Sequence, residues 1–153
     1  MSNWNDIAAW KKFLNTFTVV FIAIDVIFIV LGILFATGLV EADIVLDVFG
    51  ASPDQLAGTS AAAFATVIGV SFVISYAVNL ICLLFVRRGV KDPSKMTVGM
   101  VLFGILSALS LINLVSTIAG GSGFSNILTV LCTTILNCGV FAGCYKVRAA
   151  AKN

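Results

Sequence analysis

Histidine is missing from this sequence altogether. Its absence removes the commonest general base and the commonest metal ligand. Charge is also scarce. Only 10% of the 153 residues are charged and 60% are hydrophobic, against about 25% and about 45–50% in soluble domains. This composition belongs to the membrane class. The net charge of +2 is too small to suggest nucleic-acid binding. The four cysteines include no CxxC pair. Cys132, Cys138 and Cys144 recur every six residues, which spreads them by about 120° around one helix. They cannot converge on one ion, and Cys82 stands on another apolar run. Packed thiols are the expected state. No glycine-rich phosphate loop follows a strand, and neither an HExxH motif nor a nucleophile elbow occurs. The expectation is therefore a non-enzymatic chain with no catalytic residues, no metal site and no cofactor.

What the sequence does contain is four long apolar runs, spanning about residues 17–40, 61–86, 96–119 and 124–145. The first reads FTVVFIAIDVIFIVLGILFATGLV. It exceeds the roughly 7–15 residues of a signal h-region and is long enough to cross about 30 Å of hydrocarbon at about 1.5 Å per residue. It reads as an uncleaved span. The expected fold is all-α: a single integral membrane domain over 1–153, built as a four-transmembrane-helix bundle.

Two shorter pieces accompany the spans. In MSNWNDIAAWKKFLNT, Trp4, Ile7, Ala8 and Leu14 recur near helical spacing. This predicts a short amphipathic N-terminal helix at the membrane interface. Residues 41–60 form an outer segment with Glu41, Asp43, Asp47 and Asp54 and no cation. Its apolar residues predict a short helix or strand, and Ser52-Pro53-Asp54-Gln55 has the form of a capping box that starts a helical turn at Pro53. The acids are too few for a calcium loop. At the second-to-third connection, Gly89 suits a helix terminus and Asp92-Pro93 a helix start.

Orientation follows from charge placement. All nine Lys and Arg lie at the N-terminus, between the second and third spans, or at the C-terminus. The positive-inside rule then puts both termini in the cytoplasm.

Counting about 100° per residue shows one weakly polar side on each span. The stripes are Thr18, Asp25 and Gly32; Ser71, Ser75, Asn79 and Cys82; Ser107, Ser110, Asn113 and Thr117; and Asn126, Thr129, Thr133, Asn137 and Cys144. Small and hydroxylated residues mark helix contacts in membranes, so the stripes are expected to face inward. Gly139 and Gly143 form a GxxxG on another face of the fourth span and are a weak signal for a second protomer.

Asp25 is the one ionisable residue deep inside a run. A charged carboxylate at that depth costs about 2.5–3.5 kcal/mol on insertion scales. No Lys or Arg reaches its level, so a protonated state or a bound cation is expected. Depth counting along the helices places Ser75, Ser107 and Thr133 nearest. With Asn79 and Asn137 these make up the candidate intramembrane polar site. An acid midway along the first of four spans is similar to the small multidrug transporters, although their chains are shorter and nearly loop-free. Claudins and tetraspanins share the four-span topology, but their outer-loop cysteine patterns are missing here. No family is assigned.

The leading expectation is an accessory or interaction subunit, partnered by the lipid bilayer and by another membrane protein or a second copy. The alternative is a small proton- or cation-coupled transporter or channel that uses Asp25. Reporter fusions at Asn153 and in the 120–123 turn should report opposite sides of the membrane. The same side for both would contradict four spans.

Overall fold

The computed structural model describes residues 6–50, 58–121 and 123–151. Among these residues the structure is helical, without strands. Its elements are α1 (Ile7–Ala36), α2 (Ala42–Phe49), α3 (Ala61–Lys91), a 3₁₀ turn (Pro93–Lys95), α4 (Met96–Ala119) and α5 (Phe124–Ala150). The helices α1, α3, α4 and α5 are long and apolar enough to cross a membrane. Their contacts sort into two compact units. One contains residues 20–81, and the other contains residues 1–19 and 82–153.

The N-terminal interfacial helix is not a separate element from Ile7 onward. Asp6 caps the start of α1, its Oδ1 accepting from the Ala8 and Ala9 amides at 2.9 and 3.3 Å. No Gly or Pro interrupts the chain before Gly32, so the first turns run straight into the apolar span. At the other end Gly38 adopts φ 72°, and the Leu39 amide reaches back to the Leu34 carbonyl at 3.1 Å. This left-handed ending satisfies the last carbonyls.

In the outer segment, α2 buries Val45 and Leu46 and ends at Gly50 in the left-handed region. The capping box at Ser52–Gln55 lies outside the described residues. Ser60 caps α3, accepting from the Ala63 amide at 3.2 Å.

Gly89 does not end α3, which continues to Lys91. Its role is close packing: a Cβ there would stand 2.6 Å from Met96 Sδ and 2.7 Å from Met96 Cα. The turn that follows is held by Asp92, which accepts from the Ser94 amide and hydroxyl and pairs with Lys95 Nζ at 2.8 Å. Lys95 first, then Ser94, holds its carboxyl down at about 2. A carboxylate lowered in the folded state stabilises the turn fully above the ordinary aspartate range. That contribution is lost as pH falls through about 2.

In the unit formed by residues 20–81, α1 and α3 cross at glycine. A Cβ on Gly32 would meet the Gly69 carbonyl at 2.8 Å, and a Cβ on Gly69 would meet the Gly32 carbonyl at 2.5 Å. Small residues flank both, with Gly32 four before Ala36 and Ala65 four before Gly69. This small-xxx-small pairing lets two backbones approach closely. In the other unit, Gly99 of α4 receives Val86 of α3, and Gly143 of α5 receives Trp10 and Leu14 of α1. Gly143 is thus filled from within the chain, while nothing lies within 4 Å of a Cβ on Gly139.

Gly69→Val should therefore lower thermal stability in detergent by about 1–3 kcal/mol or more through overpacking. Gly139→Ala should be neutral or stabilising by up to about 1 kcal/mol, because a helical glycine is replaced without a clash. Equal melting shifts for the two variants would contradict the crossing.

Candidate polar site on the first helical pair

α1 buries two polar residues: Thr18 is fully buried and Asp25 is 1% exposed. The Asp25 carboxyl meets Asn79 of α3. Asn79 Nδ2 donates to both of its oxygens, at 3.1 and 2.9 Å. Asn79 is half-buried. One amide nitrogen thus lies within hydrogen-bond distance of both carboxyl oxygens.

The pair is one layer of an antiparallel ladder between the two helices. One turn along, Phe28 stacks on Tyr76 with ring centroids 4.6 Å apart and planes 9° apart. Phe72 meets both rings edge-on, at 5.9 and 5.5 Å. The next layers are Gly32 against Phe72 and Val73, and Ala36 against Gly69. Phe35 and, from α2, Phe49 also touch Phe72. Aromatic rings thus cover the carboxyl on the side toward α2. Beyond them a cavity of about 270 Å³ opens among Phe35, Thr37, Glu41, Ala62, Ala65 and Thr66. Asp25, Asn79, Phe28 and Tyr76 do not line it.

The remaining candidates are placed differently. Ser75 is exposed, as is Ser71. Positions 65, 69, 72, 76, 79, 83 and 86 of α3, spaced in alternating steps of four and three, are among its buried or half-buried ones. Glycine and aromatic residues occupy the inner seam there, and the serines fall beside it. Ser107 is buried but donates to the Phe103 carbonyl of its own helix at 2.6 Å. Thr133 is exposed and donates to Thr129 of its own helix at 3.0 Å. Such back-bonding is common for hydroxyls in apolar helices.

Asn137 belongs to a second interhelical clasp, between α4 and α5. Its Nδ2 donates to Ser110 Oγ at 2.7 Å. Thr134, which is 4% exposed, lies one residue beyond Thr133. Its hydroxyl donates to Val130 at 2.8 Å and also stands 3.2 Å from the Ser110 carbonyl. Each pair of long helices, α1 with α3 and α4 with α5, is therefore joined by an asparagine of its second helix.

Counting depth from the last cation of each helix would have found the Asn79 pairing. From Arg87 the count reaches Ser75, but α3 extends one turn further to Lys91, and the same count from there reaches Asn79. Among the described residues, no three His, Cys, Asp or Glu side chains come together to hold a metal ion. Comparison of the chain with protein-family models, curated proteins and solved structures yields no match.

Asp25→Asn should melt close to the parent protein, because an amide preserves an acceptor for Asn79. Asn79→Leu and Asp25→Leu should each cost about 1–3 kcal/mol, the range for orphaning a buried polar partner. Their double mutant should cost less than the sum. Strict additivity of the two in a detergent melt would show that the residues do not interact.

Proposed function

We infer that this chain is a small polytopic integral membrane protein acting as a non-enzymatic accessory or interaction subunit, with both termini in the cytoplasm. Four helices of membrane-spanning length and apolarity support the location. The confinement of all nine Lys and Arg to one set of ends supports the orientation. The observation that carries the functional reading is the closure of Asp25 on Asn79. The one deep acid is spent on joining two helices. Aromatic layers lie between it and the cavity near α2.

Many outward-facing positions on the long helices are large and apolar, among them Ile27, Val67, Ile112 and Ile135. Such surfaces suit lipid and the helices of a partner or a second copy. In this role the polar contacts fix helix register, and the molecule contributes surface instead of chemistry.

The test is a flux assay run beside an assembly assay. Proteoliposomes containing the parent chain should pass protons, Na⁺ and K⁺ no faster than empty vesicles. Asp25→Asn should leave the mass of the native complex in mild detergent unchanged. Cation flux that Asp25→Asn abolishes would overturn the subunit reading and establish coupled transport through this carboxyl.

A further inference from the structure

The cavity near α2 lies wholly within the 20–81 unit, and small side chains create it. At the crossing, a Cβ on Gly69 would overlap the Ala36 amide nitrogen. From there toward the start of α3, the residues that line the cavity are Thr66, Ala65 and Ala62. They are too short to fill the space beside the turn that follows α1, and about 270 Å³ is left. The turn itself is held by its backbone. The Thr37 amide donates to the Ile33 carbonyl at 2.9 Å, and the Glu41 carbonyl accepts from the Ile44 amide at 3.1 Å. Both walls are therefore preformed.

The lining changes character with depth. Ala65 is 3% exposed and Phe35 and Ala36 are half-buried, whereas Thr37, Glu41 and Thr66 are exposed. An apolar floor thus lies under a polar rim, and the rim side chains can only accept. The Thr37 hydroxyl already donates to the Ile33 carbonyl at 2.8 Å, and the Thr66 hydroxyl to the Ala62 carbonyl at 2.9 Å. Each is left with lone pairs. Glu41 stands at the N-cap of α2, but its side chain makes no cap hydrogen bond. Its carboxylate has no ion pair among the described residues. Residues 20–81 hold five acids, Asp25, Glu41, Asp43, Asp47 and Asp54, and no Lys or Arg. One carboxylate with two hydroxyls is a poor metal site, and no acidic triad forms among the described residues. A ligand with an apolar body and N–H donors on a positive charge fits the lining better. A primary ammonium has three N–H donors, one for each rim group.

We propose that this cavity binds a small primary alkylammonium, with its apolar body against Ala65 and its ammonium group at Glu41, Thr37 and Thr66. The volume is a little below the roughly 300 Å³ at which sites for drug-sized molecules begin, which limits the body to a short chain or a single ring. The site is separate from Asp25, which does not line the cavity, and it stands whether or not the chain is an interaction subunit.

The full chain, ¹³C-labelled at alanine and threonine methyls, is titrated with n-butylammonium in neutral detergent and followed by NMR. The Ala65 and Thr66 signals should shift saturably at millimolar concentration, the range open to so small a ligand. Glu41→Gln should weaken binding about three- to fivefold, the upper range for an ion pair open to solvent. Ala65→Leu fills the floor and should abolish saturable binding. Ala62→Leu, at an exposed position, should weaken binding and carries the test if Ala65→Leu does not fold. Tetramethylammonium lacks N–H donors and n-butanol lacks charge, so both should bind more weakly. Asp47→Asn, which alters an acid off the cavity, should have little effect. Shifts that rise linearly without saturation would overturn the site, as would unchanged affinity in Glu41→Gln. Equal losses for Asp47→Asn and Glu41→Gln would reduce the effect to diffuse attraction and overturn it too. Displacement of n-butylammonium by an equal concentration of K⁺ would overturn the organic assignment.

Discussion

A carboxyl group buried between apolar helices must find its hydrogen bonds inside the protein, because apolar side chains offer none. That constraint governs the 20–81 unit. Asp25 is 1% exposed, and both of its oxygens are met by one amide, that of Asn79. An amide is well suited to the task, since it donates to both oxygens without adding a second buried charge. Once that contact fixes the register of α1 against α3, the neighbouring layers follow. Phe28 lands on Tyr76, Gly32 on Phe72, and Ala36 on Gly69.

Glycine makes the register permissible. The contact at Gly32 and Gly69 is backbone against backbone, with no room for a Cβ on either helix. Close approach gains dispersion contacts between the two backbones. In the other unit the same means recur at Gly89, Gly99 and Gly143, each facing a larger side chain from another helix. Polar clasp and glycine crossing thus divide the work. The clasp selects one register among many apolar alternatives, and the crossing makes that register dense.

Much of this was legible in the sequence. The helical class and the four long runs followed from composition and length, and the burial of Asp25 followed from its place on a heptad with Thr18 and Gly32. Inward hydroxyl stripes were a weaker guide. Ser75 and Thr133 lie one position away from Tyr76 and Thr134, which occupy the seam. A difference of one residue turns a side chain by about 100°. Hydroxyls mark the seam poorly because they can satisfy themselves on their own helix, as Thr133 does. Glycine and amide groups mark it better: a buried amide needs an outside partner, and a crossing needs the missing Cβ. Gly89 misled for a related reason. Its position before Lys91 resembled a helix stop, whereas its use is to admit Met96. The interfacial helix dissolved into α1 because no breaker separates Asn15 from the apolar run.

The central claim is that Asn79 meets Asp25 directly. Solid-state NMR dipolar recoupling in lipid bilayers measures this between ¹⁵N-labelled asparagine side chains and ¹³C-labelled aspartate carboxyls, with Asn79→Leu as the control. N–O contacts of 2.9 and 3.1 Å predict strong dephasing of one carboxyl signal, lost in the control. A carboxyl signal that shows no dephasing in the parent protein, or dephasing that survives Asn79→Leu, would contradict the account.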